Sequence, residues 1–356
     1  MSATIIGVDP HKRSQTTAVV LDDAEQIASK LRVTAGAGQV DELLGWALDQ
    51  ERVWAIENAN GLGRLLAQQL VARDEAVIDV PATLSSRARK LSGHSGRKTD
   101  EHDARSVVIA AAHNSRLRRV SVENNTVVLG LLLDRRWHLV AQRQRTLCQL
   151  HVLLAELVPA GAAMHLTSKK AAVMLRKIAP GGVVELERKL LARELLEDVR
   201  WLDRRIPVAM QRLSQALTAY GTTLTDIHGI GEIGAATILS IVDDPARFPD
   251  PGHFAAFNGT APLEASSGDV RRHRLSRRGN RQLNKVLHVA ARTQIRRGGP
   301  GRTYYDRKLA EGKSKMEALR ALKRQLSDVI YRRLLADARQ RQAARGGQTG
   351  TRPKSA

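Results

Sequence analysis

The chain has 356 residues, enough for two or three domains, and with 42% hydrophobic but only 3% aromatic residues its cores must be aliphatic. Cys148 is the single cysteine, which excludes a disulfide framework and a cysteine-based zinc site and fits a reducing, cytoplasmic setting. Fifty-seven Lys and Arg against 36 Asp and Glu leave a formal charge of +21, an excess that calls for a polyanionic partner.

The first strand begins almost at once, so no signal peptide is expected, and no window approaches roughly 18 uncharged apolar residues, so no membrane span is expected either. Ile5-Ile6-Gly7-Val8-Asp9-Pro10-His11-Lys12 is a buried β-run that delivers Asp9 at its C-terminal end, just before a turn. Thr16–Leu21 follows at hairpin distance, and Gln26–Val33 can close an antiparallel meander. Val40–Leu48 has helical spacing. Val53–Glu57 is a short buried strand ending in a second carboxylate, punctuated by Asn58-Ala59-Asn60-Gly61. Leu62–Ala72 returns to a 3.6 period, and Ala76–Val80 is a fifth strand stopped by Pro81. The order βββαβαβ predicts an α/β, ribonuclease H-like sheet over residues 1–115, with the first strand central. A dinucleotide-binding fold fails twice: the Gly-rich turn after strand one is absent, and strands one to three look hairpin-connected.

A polar, basic, glycine-punctuated segment from Ser85 to Lys98 carries Arg97 and Lys98 up to Thr99, the expected N-cap of a helix running to Ala112. Asp100 and Asp103 then share one face of the first turn. Residues 116–220 read as a helical spacer with two long heptad-like registers. One runs Leu133, Trp137, Val140, Gln144, Leu147, His151, Leu154, Val158, and the other Leu195, Val199, Leu202, Ile206, Ala209, Leu213, Ala216. They predict an antiparallel hairpin or an intermolecular coiled coil, with breaks at Pro159–Gly161 and Pro180–Gly182 and Pro207 as a kink or first-turn proline. Residues 221–338 form a compact, mainly α-helical block, and residues 339–356 a disordered basic tail.

Asp9, Glu57, Asp100 and Asp103 therefore come from two strand ends and one helix start. Two-metal phosphoryl transfer needs hard oxygen ligands around a pair of Mg²⁺ ions roughly 3.5–4 Å apart, and this set can supply them. Singly, each Asp could be a cap, a turn or a surface charge. His102, between the two aspartates, faces elsewhere and is expected at a phosphate or at the surface.

From Gly268 to Lys308 there are thirteen Lys or Arg and two acids, Asp269 and Asp306, a local basic stretch that suits nucleic acid. Its candidate phosphate contacts are Arg271, Arg272, Arg274, Arg277, Arg278, Arg281 and Lys285, with Arg97 and Lys98 from the earlier basic segment. Gly229-Ile230-Gly231 fits the turn of a helix-hairpin-helix, where glycines let backbone N–H groups face a phosphate; the plainer alternative is an ordinary glycine turn. Ser266-Ser267-Gly268 admits two readings: small residues in a phosphate-binding loop, or a serine that attacks DNA phosphorus. With no general base nearby, the residues alone favour the loop.

Taken together, several marks resemble the transposases of the insertion sequence 110 family. These are Gly7–Asp9, the strand into Glu57, Lys98-Thr99-Asp100-Glu101-His102-Asp103-Ala104, Gly229–Gly231, and Gly259…Pro262…Ser267-Gly268…Ser276…Gly279-Asn280. They cover residues 3–112 and 221–335 in the family's order. The resemblance implies a DEDD, RuvC-like domain joined to a second transposase domain with a nucleophilic serine, here Ser267, with Ser266 a neighbouring hydroxyl. It also implies a structured guide (bridge) RNA that pairs with donor and target DNA, and a homo-oligomer, a dimer or tetramer, whose active sites combine one protomer's carboxylates with another's serine. Asn284 stands where arginine is common in the family.

The leading expectation is a Mg²⁺-dependent DNA recombinase that cuts and rejoins strands through a serine–phosphate linkage. The alternative is a hydrolytic, Holliday-junction-type endonuclease in which the serine only binds phosphate. A third reading, a basic non-enzymatic scaffold, leaves the complete tetrad without a purpose.

Overall fold

The computed structural model describes residues 4–11, 15–47, 51–91, 99–115, 117–162, 164–264, 273–274 and 279–348. The chain divides into two compact units, Met1–Glu123 and Asn124–Ala356. Among the described residues no helix is long and apolar enough to cross a membrane.

The first unit is an α/β layer structure. In chain order it contains β1 (Thr4–Asp9), β2 (Gln15–Leu21), β3 (Ile27–Thr34), α1 (Gln39–Trp46), β4 (Arg52–Glu57), α2 (Arg64–Val71), β5 (Ala76–Val80), α3 (Ala82–Leu91), α4 (Asp100–Ala112) and β6 (Arg118–Arg119). The sheet order is β3-β2-β1-β4-β5-β6. β1 pairs antiparallel with β2 and parallel with β4, so it sits centrally, as the sequence pattern requires. β6 adds an antiparallel edge to β5 that the pattern does not announce, because two arginines carry no periodicity. Ile6, Val8, Trp54 and Ile56 face α1 and α2, whose Leu43 and Leu70 are fully buried, at about 1.5–3 kcal/mol each. Trp54 is also fully buried, and its indole N–H donates to Glu75 Oε2 at 2.7 Å.

One helix of this unit is a departure from the sequence reading. The stretch after Pro81, read as a polar basic segment, opens with helix α3. Only Leu84 and Ala88 of its apolar residues pack on the sheet, a narrow stripe that is easily passed over in so basic a composition.

The second unit is mainly helical: α5 (Asn125–Leu157), α6 (Ser168–Lys177), α7 (Val183–Tyr220), a 3₁₀ turn at Leu224–Asp226, α8 (Glu232–Val242), a second 3₁₀ turn at Pro245–Arg247 and α9 (Pro251–Phe257). A small antiparallel pair follows, β7 (Leu263–Glu264) with β8 (His273–Arg274). The unit closes with α10 (Arg281–Arg297), α11 (Pro300–Ala310) and α12 (Lys315–Gln348). Its core gathers Leu239, Phe254, Leu287, Leu326 and Tyr331, whose hydroxyl donates to the Phe248 carbonyl at 2.6 Å.

Helices α5 and α7 run antiparallel, with Leu129 beside Leu213 and Leu217, Leu139 beside Leu202 and Ala209, and Leu150 and Leu154 beside Ala192 and Leu196. The seam through Val199, Leu202 and Leu213 is thus buried within the chain, the intramolecular of the two arrangements that its heptad spacing allows. Pro207 lies inside the 38-residue α7 on its exposed side, so the first-turn reading does not hold. α12 continues to Gln348, through the first part of the stretch expected to be disordered. Ala, Arg and Gln are good helix formers, and they extend a helix already nucleated by packing.

Candidate active site

Side-chain alternation decides which face of the sheet is chemical. With Ile6 and Val8 turned toward α1 and α2, Ile5, Gly7 and Asp9 belong to the opposite face, under α4. β4 repeats the division, Trp54 and Ile56 one way, Ala55 and Glu57 the other. The parallel register sets Val8 opposite Ile56, so Asp9 and Glu57 end neighbouring strands on one face.

α4 lies close over β1 because Gly7 has no side chain: a Cβ there would stand 2.4 Å from Val108 Cγ2 and 2.5 Å from the Ala104 carbonyl oxygen. The helix begins at Asp100 because Thr99 caps it, its hydroxyl accepting the His102 backbone N–H at 3.4 Å. Lys30 Nζ on Glu101 Oε1 (2.8 Å) and Arg32 Nη2 on Asp100 Oδ2 (3.1 Å) hold its first turn to β3. Asp9, Glu57, Asp100 and Asp103 consequently line one cavity of about 240 Å³, together with His11, Ser85 and Arg89.

The cavity concentrates negative charge against the wishes of its carboxylates. Burial first, then the charge of Glu57, pushes the Asp9 carboxyl up to about 6; Asp103 and Asp100 push the same way, and His11 opposes them. Nearby donors hold the other acids. The Ser85 hydroxyl donates to Glu57 Oε1 at 2.6 Å, Arg89 pairs with Asp103, and Arg32 with Asp100. Hard oxygen donors from two strand ends and a helix start, kept together despite repulsion, are the donor chemistry a divalent cation needs. Among the described residues, the His, Cys, Asp or Glu group whose ligand atoms all lie within 4.8 Å of one another is Asp9, His11 and Asp100. Glu57 and Asp103 line the same cavity but are drawn toward Ser85 and Arg89 on α3.

Four residues of this site went unassigned in the sequence. His11 lies two positions after Asp9 in a turn, and Arg32 on β3 has no motif around it. Ser85 and Arg89 are one helical turn apart on α3; the spacing of Leu84, Ala88 and Leu91 after Pro81 is the signal that could have revealed them.

The remaining candidates fall in several places. Arg97, Lys98, Ser266, Ser267, Arg271, Arg272, Arg277 and Arg278 lie outside the described residues. Arg274 belongs to β8, and Arg281 and Lys285 are exposed one turn apart on α10. Gly229 has φ +90°, and a Cβ on it would come within 2.8 Å of the Ala290 carbonyl, so the turn before α8 is packed on α10. Gly231 is the N-cap of α8 in extended conformation.

The two ends of the segment bearing Ser266 and Ser267 are tied together. The Asn280 N–H donates to the Phe257 carbonyl at 2.7 Å, and Asn284 Nδ2 donates to the carbonyls of Asn258 (2.9 Å) and Gly259 (3.1 Å). Buried Lys323 donates in turn to Asn284 Oδ1 at 2.6 Å. Asn284 therefore ties backbone at this position.

Known proteins resemble this chain over most of its length. Residues 6–159 match the DEDD transposase model of the IS110 type, and residues 221–306 match the model of the transposase IS116/IS110/IS902 family. The chain is 27% identical over 384 residues to an insertion element IS116 protein of Streptomyces clavuligerus, covering 92% of this chain and 93% of that one. It is 26% identical over 377 residues to an insertion element IS900 protein of Mycobacterium paratuberculosis, covering 91% and 94%. A putative transposase of Sinorhizobium fredii is 30% identical over 139 residues, 37% of this chain and 35% of the relative. Two family models matched in order along one chain, over a RuvC-like sheet with Asp9 and Glu57 at the ends of neighbouring strands, lead to one assignment: the chain belongs to the IS110 family of transposases.

Proposed function

We propose that this transposase cuts and rejoins DNA with two Mg²⁺ ions held by Asp9, Glu57, Asp100 and Asp103, and with Ser267 as the attacking nucleophile. In this reading residues 1–115 are the catalytic domain, 116–220 a coiled-coil spacer, 221–338 the serine-bearing domain and 339–356 a basic tail. The observation that carries the proposal is the convergence of the four carboxylates on one cavity, where burial and Glu57 hold the Asp9 carboxyl up at about 6.

When bound, divalent ions would neutralise charge on the phosphoryl group and stabilise the leaving oxygen. The chain's own residues do the rest. The Ser267 oxygen forms a bond to phosphorus as one bridging strand oxygen leaves, and its proton passes to solvent or to that leaving oxygen. A strand hydroxyl then attacks the phosphoserine and returns the serine, which conserves the bond energy for rejoining. Arg271, Arg272, Arg274, Arg277, Arg278, Arg281, Lys285, Arg97 and Lys98 would meet phosphates, as would the backbone N–H groups at Gly229 and Gly231, in a helix-hairpin-helix-like contact at the start of α8.

A structured guide RNA would supply target and donor sequence by pairing, in keeping with the +21 charge of the chain. The active assembly would be a homo-oligomer that brings one protomer's serine to another's carboxylates. Exposed Leu131 and Trp137 on α5 and Trp201 on α7 offer apolar surface for such contacts.

The test is adduct trapping. With guide RNA and both DNAs, Ser267→Ala should lose recombination and any denaturant-stable protein–DNA adduct, while Ser266→Ala should cost little. Mixing Ser267→Ala with Asp9→Asn protein should restore partial activity. Full cleavage by Ser267→Ala would instead support the hydrolytic reading, in which the serine only binds phosphate.

A further inference from the structure

His11 lines the acidic cavity, and the carboxylate reading leaves it without a task. Its Nε2 is buried and has no hydrogen-bond partner among the described residues. It stands 3.5 Å from Asp9 Oδ2 and 3.7 Å from Asp100 Oδ1, and neither approach has hydrogen-bond geometry. A ring nitrogen aimed between two carboxylate oxygens, yet bonded to neither, is costly unless something else satisfies all three.

The spacing identifies what that is. Two ligands of one tetrahedral ion, each about 2.1 Å from it, stand about 3.4 Å apart, and in an octahedral site about 3.0 Å. The observed separations lie within ion-pair range and close to the spacing of neighbouring ligands of one ion, and the three ligand atoms all stand within 4.8 Å of one another. The backbone supports this placement. The His11 N–H approaches Thr16 Oγ1 at 3.5 Å, and that hydroxyl also accepts from Gln39 Nε2 at 3.1 Å, so the turn after β1 is tied to β2 and α1.

We infer that His11 is a third ligand, with Asp9 and Asp100, of one divalent ion, and that this mixed oxygen–nitrogen site takes a transition-metal ion such as Mn²⁺ in preference to Mg²⁺. Mg²⁺ holds to oxygen, whereas Mn²⁺ suits the two carboxylates and, as a transition-metal ion, accepts an imidazole nitrogen more readily. The inference rests on the reading that the carboxylates bind divalent ions, and it refines which ion one of the two positions selects. Glu57 and Asp103, on the α3 side of the cavity, keep the all-oxygen character that Mg²⁺ requires.

The experiment is electron paramagnetic resonance of Mn²⁺ titrated into the full-length protein. Spin-echo modulation from a directly bound nitrogen should appear in the unsubstituted protein and vanish in His11→Gln and His11→Ala. Affinity for Mn²⁺ should fall about tenfold in both variants, with Mg²⁺ affinity, read by competition, changing less than about twofold. A bound Mn²⁺ without nitrogen modulation in the unsubstituted protein, or modulation that survives both substitutions, overturns the assignment. Asp9→Asn and Asp103→Asn, run in the same titration, test the carboxylate reading separately: undiminished Mn²⁺ binding in both would sink that reading and the inference with it. Loss of binding in both, without nitrogen modulation in the unsubstituted protein, would sink the His11 assignment alone.

Discussion

Gly7 lies so close beneath Ala104 that a methyl group on it would stand 2.5 Å from the Ala104 carbonyl oxygen. This contact sets how near α4 comes to β1, and so how near Asp100 and Asp103 come to Asp9. Gly7→Ala should push the helix away, costing about 1–3 kcal/mol and weakening divalent-metal binding together with DNA cleavage. Gly45, exposed on α1 with nothing within 4 Å of a built Cβ, is the control. Gly45→Ala should gain about 0.5–1 kcal/mol and leave metal binding unchanged, as thermal denaturation and metal titration would report.

Neutral substitution of the carboxylates separates chemistry from folding. Asp9→Asn, Glu57→Gln, Asp100→Asn and Asp103→Asn should each reduce strand cleavage by at least about a hundredfold at nearly constant shape. Asp9→Asn should also stabilise the metal-free protein, on the order of 1 kcal/mol, because a buried charge beside Glu57 is removed. Two or more variants with unimpaired cleavage would mean that the acids are not the reactive set.

The Arg89–Asp103 pair competes with a cation for the same carboxylate. Arg89 is about a third exposed, so the pair contributes no more than about 1 kcal/mol. Arg89→Gln should therefore tighten divalent-metal binding by up to about fivefold, measured by calorimetry. Unchanged or weaker binding would make Arg89 a support of the site and remove it as a competitor.

How far could this be read from the residues alone? The sheet was legible because strands of period 2 and helices of period 3.6 alternate cleanly from Ile5 to Val80, and β1 and β4 each end in an acid. Asp100 and Asp103 were legible because Thr99 marks the helix start. Contacts across the fold were not. Ser85 and Arg89 reach Glu57 and Asp103 over 28 and 14 residues of sequence, and Arg32 reaches Asp100 over 68. The heptad seam of α7 announced that it packs against a helix, but sequence periodicity cannot say whether that helix belongs to the same chain, and α5 of the same chain covers it.

Acid stability of the first unit should depend on Glu75. Its carboxylate accepts from Arg52 at 2.6 and 3.0 Å and from Trp54 at 2.7 Å, and the Arg52 hydrogen bonds lead in holding it below its ordinary value of 4.5. The folded state thus binds this proton more weakly than the unfolded chain. The stability it contributes is complete above 4.5 and is lost as pH falls through the lower folded value. Glu75→Gln should cost about 1–3 kcal/mol at neutral pH and flatten the loss in acid. Urea denaturation at several pH values checks both effects.

The central claim is that Asp9, Glu57, Asp100 and Asp103 surround bound divalent ions, and iron-directed cleavage tests it without relying on activity. Fe²⁺ loaded in place of the native ion, then treated with ascorbate and peroxide, cuts polypeptide beside its own ligands. Cuts are expected next to residues 9, 57 and 100–103, suppressed by Mg²⁺ or Mn²⁺ and abolished by Asp9→Asn. Cuts confined to other parts of the chain, or a pattern indifferent to those ions, would contradict it.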